Sequence, residues 1–199
     1  MNKQRVAILI SGRGSNMVAL AEQASSGILA GCAEVVVVAS NKPDAAGLDK
    51  ARAMGLETRA SSAVGKRRSV FDGELLDLLD PFAPDWIVLA GYMRILTPQV
   101  IRRYPGRIVN IHPADTREHQ GLHGYGWAWD QRLEATRVTV HVVDEGLDTG
   151  PILGQRDVDL RGVQSLEDVE QRGLAVEHGF YAEVLRDLFT GAVAASGSA

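Results

Sequence analysis

The sequence is short of several things that would assign it to a special class. It has one cysteine, Cys32, so an internal disulfide framework is excluded and a reducing compartment suits it. The run Ala33–Ala39 beside Cys32 reads as a buried strand, which makes the cysteine a packed thiol rather than a nucleophile. No apolar run is long enough to span a bilayer, and the N-terminus Met1-Asn2-Lys3-Gln4-Arg5 lacks a signal-peptide pattern. A cytoplasmic protein is expected. Positive charge is not in excess: the formal net charge is −4, which argues against wrapping nucleic acid while leaving room for a small anionic substrate at a locally positive site. What is abundant is globular. Apolar residues make up 45% of the chain, and 21 of its 199 residues are glycine, enough for a real core in about one domain.

The patterning is that of alternating strands and helices. Val6–Ile10, Val35–Ala39, Trp86–Ala90 and Arg107–Ile111 are short apolar runs of the kind found in parallel strands covered on both faces. Helices are expected over Met17–Ile28, Asp44–Met54 with Gly55 as C-cap, and Phe71–Leu79, and another after Thr97-Pro98, a cap followed by a first-turn proline. Leu56–Ala60 reads as a short strand and Ser61–Ser69 as a loop. Val138–Val142 and Ile152–Leu160 then alternate with period two, and a long helix carries Leu166, Val169, Val176, Phe180, Val184 and Leu188. The expected fold class is α/β: an open, mostly parallel twisted sheet with helices on both faces and antiparallel strands near its C-terminal end. Residues 1–190 form the expected single domain, and 191–199 a flexible tail.

Ligands of such sheets gather beyond the carboxyl ends of the strands. Three unusual loops fall there: Ser11–Asn16, Gly91–Leu96 and Asn110–Gly121. The first is glycine-rich and enters a helix, so its free N–H groups suit a phosphate. Met17 stands where a dinucleotide fingerprint needs its third glycine, and no Gly-Lys-Ser/Thr follows, so a terminal monophosphate fits better than NAD or ATP. A tight turn that uses glycine for geometry alone is the alternative.

Asn110 and His112 are two residues apart at a strand end. If the backbone is still extended there, both side chains point the same way, the amide to donate to a carbonyl oxygen and the imidazole to exchange a proton at the same centre. A buried amide costs about 1–3 kcal/mol if unsatisfied, and a loop carbonyl supplying that partner is the purely structural alternative. Asp144–Pro151 is a rigid acidic turn. Asp148 placed near His112 is expected to raise the imidazole's basicity. His119 and His123 are four apart, but Gly121 interrupts any helix carrying them and no zinc motif is present, so no metal site is expected. Tyr125, Trp127 and Trp129 lack the interleaved basic residues of a base-stacking surface, and two of them are expected to pack Gly124–Leu133 onto the sheet.

Taken in order, Ile8–Gly12 leading to Gly14-Ser15-Asn16, Ser40-Asn41-Lys42 with Ala46-Gly47, Ala90–Leu96, Asn110-Ile111-His112-Pro113, Val143–Pro151, and Glu177-His178 with Tyr181 resemble the phosphoribosylglycinamide formyltransferases, the folate-dependent formyltransferases of purine biosynthesis. The likeness runs to about Leu188. It implies formyl transfer from 10-formyltetrahydrofolate, as co-substrate, to the amine of glycinamide ribonucleotide. Asn110 would stabilise the oxyanion, His112 would assist proton transfer, and Asp148 would orient His112. Gly14, Ser15 and Asn16 would hold the phosphate and Glu177 the ribose. Met93, Arg94, Leu96 and the turn from Val143 to Asp148 would form the folate pocket, with Arg68 reaching folate. The resemblance implies small-molecule partners only, in a monomer or homodimer, with no nucleic acid and no membrane. Another amine acceptor, hydrolysis of the formyl-folate, and a catalytically silent folate- or nucleotide-binding protein are the alternatives. The chain departs from the family at Ala114–Gln120, where a charged segment replaces an apolar, proline-stiffened one, and at Ala182, where a proline is usual. Asp115, Arg117 and His119 either contact a different polar acceptor or belong to a solvated loop.

Overall fold

The computed structural model of the chain describes residues 2–195. Thirteen labelled elements follow the expected alternation. They are β1 (Gln4–Ile10), α1 (Ser15–Ser26), β2 (Ala33–Ser40), α2 (Ala46–Ala53), β3 (Thr58–Ala60), α3 (Arg68–Leu79), β4 (Trp86–Leu89), α4 (Pro98–Arg103), β5 (Ile108–His112), α5 (Gly124–Asp130), β6 (Ala135–Val142), β7 (Ile152–Asp159) and α6 (Leu166–Phe189). The seven strands make one sheet in the order β3-β2-β1-β4-β5-β6-β7. Pairing is parallel from β3 through β5 and antiparallel from β5 to β7, as the change from continuous to alternating apolar patterning anticipates.

Both faces of the sheet are covered. Along β1, Val6, Ile8 and Ile10 enter one apolar cluster with Met17, Leu20, Phe180 and Leu185. Ala7 and Leu9 enter a second with Phe71, Leu75, Leu79 and Val100. Successive side chains leave a strand on opposite sides, so one apolar run fills two cores. The long α6 is held at both ends. Ser165 Oγ accepts from the Asp168 N–H and Asp168 Oδ2 accepts from the Gln164 N–H, a reciprocal N-terminal cap. At the other end Gly191, at φ 79°, lets the Ala192 and Val193 N–H groups turn back to the Asp187 carbonyl. Residues 196–199 of the tail expected at 191–199 lie outside the described residues. In the middle of α6, the wholly buried Tyr181 donates its hydroxyl proton between the carbonyls of Leu89 and Val109, fixing the helix to the sheet's centre.

Local departures from expectation have local causes. The first helix starts at Ser15, with Gly14 before it in the left-handed region at φ 71°. Helix α3 begins at Arg68, inside the expected loop. Thr97 stands at the N-cap of α4 but makes no side-chain cap; its N–H is bound instead by Asp72 Oδ2 from α3. Helix α5, absent from the sequence reading, forms from a segment with two glycines and two tryptophans. Tertiary packing overrides poor propensity there: Trp127 and Trp129 lie against the first core, as expected for those side chains. Cys32 is half-buried and its thiol pKa is raised by that burial.

Candidate active site

Strand order makes the site. From β1 the chain runs outward through β2 and β3, and then crosses back to β4 on the other side of β1. The loops leaving β1 and β4 therefore diverge, opening the crevice where open α/β sheets bind ligands. Ser11, the first residue after β1, holds the crevice loops in register. Its hydroxyl donates to Asn41 Oδ1 at 2.5 Å beyond β2 and accepts from the Met93 N–H at 2.8 Å beyond β4. Gly47 allows α2 to approach the first loop. A Cβ there would stand 2.6 Å from Ile10 Cδ1 and 3.1 Å from Gly14 Cα.

Asn110 and His112 both belong to β5, whose strand geometry persists through His112, so both side chains leave the same face. They reach a cavity of about 780 Å³ whose lining also includes Asp148, Arg68, Met93, Arg94, Leu96 and Val143. Asp148 comes from the turn between β6 and β7 and occupies the left-handed region at φ 52°. Its Oδ2 accepts from the Gly121 N–H at 2.8 Å and lies 3.5 Å from His112 Nδ1. The structure thus brings Asn110, His112 and Asp148 to one wall.

A fourth polar side chain completes this wall. His141 is 2% exposed and sits opposite Asn110 in the β5–β6 ladder. Asn110 Nδ2 donates to His141 Nε2 at 3.2 Å, and His141 Nδ1 donates to the Val142 carbonyl at 3.0 Å. A proton on Nδ1 and a lone pair on Nε2 satisfy both bonds. The same Nε2 lies 3.5 Å from Asp148 Oδ1. In the sequence His141 reads only as part of an alternating strand; its signal is a buried histidine on the face opposite Val138, Val140 and Val142, shared with Thr139.

The charge state of His112 differs from expectation. Burial, its largest influence, lowers the pKa below the ordinary histidine value, and the Asp148 charge recovers only part of that. Desolvation disfavours the imidazolium more strongly than a carboxylate at 3.5 Å supports it. His112 Nε2 donates to the His119 carbonyl at 3.0 Å, so the neutral ring keeps its lone pair on Nδ1, the side of Asp148. Burial raises the Asp148 pKa, but the Gly121 N–H bond and the neighbouring His141 and His112 rings outweigh it, and the net direction is down. The site therefore rests as a neutral imidazole beside an ionised carboxylate.

Around these groups the cavity is apolar. Met93 at 59%, Ile95 at 47%, Leu122 at 59% and Leu147 at 44% exposure are large side chains left facing solvent, and all four line it. Such a cluster marks a surface shaped for an apolar ligand. Leu96 lies buried beneath, Val143 is half-buried, and Arg68 stands exposed at the first turn of α3. Arg94 turns its guanidinium over the Phe71 ring at 4.7 Å.

The residues expected from the sequence to form a phosphate loop lie elsewhere in the crevice. Gly14, Ser15 and Asn16 enter α1, and Asn16 Nδ2 donates to Glu177 Oε2 of α6 at 2.5 Å. Asn16 Oδ1 is buried with no partner. None of these four residues lines the cavity of Asn110 and His112, so the crevice offers two adjoining regions.

In the charged segment after Pro113, Asp115 is turned inward while Arg117, Glu118 and Gln120 are exposed. Asp115 is 3% exposed. Its carboxylate is held by Arg117 at 2.6 Å and by Arg137 of β6 at 3.2 Å, and Arg117 pulls its pKa far below the usual range. The segment is clamped onto the β6–β7 ribbon, where Arg117 also donates to Gln155 Oε1. His119 stacks on Trp127, with ring centroids 5.0 Å apart at 13°, and its Nε2 donates to the Leu122 carbonyl at 3.0 Å. His123 precedes α5 at φ 66°. Among the described residues no three His, Cys, Asp or Glu side chains are grouped to hold a metal ion, and no helix is long and apolar enough to cross a membrane.

Comparison with known proteins agrees over the whole sheet. The formyl transferase family matches residues 4–185. The chain is 37% identical over 181 residues to phosphoribosylglycinamide formyltransferase of Escherichia coli (strain K12), covering 90% of this chain and 84% of that protein. Among solved structures, phosphoribosylglycinamide formyltransferase from Brucella melitensis superposes with a TM-score of 0.86 at 38% identity, over 100% of this chain and 98% of that one. Glycinamide ribonucleotide transformylase 1 from Symbiobacterium toebii superposes with a TM-score of 0.90 at 34% identity, over 95% and 89%.

Proposed function

Because the chain belongs to the formyl transferase family, we propose that it transfers the formyl group of 10-formyltetrahydrofolate to the primary amine of glycinamide ribonucleotide, a step of purine biosynthesis. The observation that carries this reading is the convergence of Asn110, His112 and Asp148 on the wall of one apolar cavity. The folate's ring system takes the apolar region between Met93, Leu96, Val143 and Leu147, and Arg68 receives the carboxylates of its tail. The acceptor's phosphate lies on the N-terminus of α1 at Gly14, Ser15 and Asn16, with its ribose against Glu177. The amine then meets the formyl carbon between the two regions.

Attack forms a C–N bond and places negative charge on the formyl oxygen. The Asn110 amide has two N–H groups. One is spent on His141, and the second is free for that oxygen. An aligned donor of this kind stabilises such a transition state by about 2.7–4 kcal/mol. The attacking amine gives up a proton at His112 Nδ1, which is bare in the resting tautomer. The imidazolium so formed is then supported by Asp148. Collapse breaks the bond between the formyl carbon and N10 of the folate, and the proton held on His112 goes to N10. Oligomeric state plays no part in this scheme, and a folate bound over the exposed apolar side chains of the cavity would displace water from the formyl carbon and disfavour hydrolysis.

The test is a steady-state assay with both substrates in which tetrahydrofolate release and formylated product are followed separately. Equal rates of the two, dependent on glycinamide ribonucleotide, are expected. Folate release without formylated product identifies water as the acceptor and overturns the proposal, as does turnover that requires a different amine.

A further inference from the structure

The segment that follows the catalytic strand touches the acceptor's side of the crevice through one residue. Tyr125, in the first turn of α5, donates its hydroxyl proton to Glu177 Oε1 at 2.5 Å, while Asn16 Nδ2 donates to Glu177 Oε2 at 2.5 Å. Glu177 is 5% exposed; burial raises its pKa, and the Tyr125 and Asn16 bonds oppose that rise. Two donors from two different elements therefore hold one buried carboxylate in place. Each of its oxygens accepts one of these bonds and keeps a further lone pair.

Two glycines show that the placement of Tyr125 is built in. A Cβ on Gly173 of α6 would run into the Tyr125 ring, at Cζ and the hydroxyl oxygen. Glycine inside a helix costs roughly 1 kcal/mol against alanine, so this slot is kept at the expense of helix stability. On the other side of α5, a Cβ on Gly124 would stand 2.7 Å from the Pro113 carbonyl oxygen. Helix α5 is thus seated between the residue following His112 and the helix carrying Glu177. The buried Asn16 Oδ1, without a partner, is an acceptor that a ligand's hydroxyl or N–H would satisfy.

We propose that Tyr125 is a positioning residue for the acceptor substrate: it orients the Glu177 carboxylate toward the hydroxyls of the bound ribose, so that the segment after the catalytic strand helps select the nucleotide. The inference rests on the acceptor assigned above. Tyr125 touches no reacting atom and acts through Glu177, so its removal affects nucleotide binding and leaves chemistry alone. Loss of one hydrogen bond to a buried carboxylate corresponds to roughly a 10-fold change in affinity.

Two variants test it. Tyr125→Phe keeps the ring in its slot and deletes the donor. Gly173→Ala keeps the donor and closes the slot. Each is assayed for kcat, for KM of both substrates, and for calorimetric binding of ribose 5-phosphate, with thermal denaturation as a check of folding. The expected result is a KM for glycinamide ribonucleotide and a ribose 5-phosphate Kd raised about 10-fold, with kcat and the KM for 10-formyltetrahydrofolate unchanged. A folded Tyr125→Phe protein whose ribose 5-phosphate affinity equals that of the unaltered chain overturns the proposal, and so does a fall in kcat at unchanged KM. If the unaltered chain neither formylates glycinamide ribonucleotide nor binds ribose 5-phosphate, the acceptor assignment fails and this inference with it. If it does both and Tyr125→Phe does them equally well, only the inference fails.

Discussion

Asp148→Asn is the sharpest perturbation of the proposed chemistry, because it changes charge and little else. Asp148 sits at φ 52°, a conformation that asparagine tolerates as aspartate does and alanine does not. The asparagine side-chain oxygen still accepts from the Gly121 N–H, now at 2.8 Å. What disappears is a negative charge 3.5 Å from His112 Nδ1. At an effective dielectric of 20, appropriate to a partly buried site, opposite unit charges at that separation attract by about 4.7 kcal/mol. Some of this returns through solvent, since the Asp148 side chain is 13% exposed. A loss of roughly 2.7–4 kcal/mol of support for the imidazolium then corresponds to kcat lowered about 100- to 1,000-fold. The KM of either substrate changes little, because the resting imidazole is neutral. Asp148 also raises the His112 pKa against burial, so its removal moves the acid limb of the kcat/KM profile to lower pH. Steady-state kinetics across pH, with circular dichroism to confirm the fold, decide the matter. A kcat within about threefold of the parent refutes the role given to the carboxylate.

Two further outcomes concern stability. Asp115→Asn leaves Arg117 and Arg137 without their buried anion, but both guanidinium groups are about half-exposed and turn to water, so the cost is roughly 1–3 kcal/mol rather than the full penalty of a broken buried pair. Thermal denaturation should show Tm lowered by about 3–10 °C, with kcat retained; an unchanged Tm defeats the clamp assigned to that segment. The pH dependence has a definite sign. His112 and His178 both have folded pKa values lowered by burial, so the unfolded chain binds more protons and stability falls as pH drops from about 6.5. Asp115, whose pKa is strongly lowered, holds its contribution above the unfolded carboxylate value and loses it only in stronger acid. Urea midpoints measured between neutral and mildly acid pH should fall, and fall less in His178→Gln; a flat profile contradicts the burial of both rings.

Much of the fold was legible because its signals are local. Four apolar runs named β1, β2, β4 and β5 to within a residue or two, since central strands must be apolar on both faces. The switch to alternation at Val138 announced the antiparallel end of the sheet. Helix α5 was illegible for the opposite reason: its glycines and tryptophans are poor helix formers, and its fold comes from Gly124 against Pro113 and Tyr125 in the slot at Gly173, contacts between residues far apart in sequence.

The sequence by itself determined the layered α/β plan and the loops that meet at the sheet's carboxyl edge. It also placed Asn110 and His112 on one face, since strand geometry has a period of two. Only the tertiary structure decided what those groups are chemically. It set the neutral state of His112, because desolvation depends on every element packed around the ring. It added His141, which meets Asn110 only through the β5–β6 register. It turned Asp115 inward onto Arg137, giving the charged segment a structural anchor that no reading of Ala114–Gln120 alone contains. Spacing along a chain fixes direction, whereas burial and charge are properties of neighbours that the chain brings together only by folding.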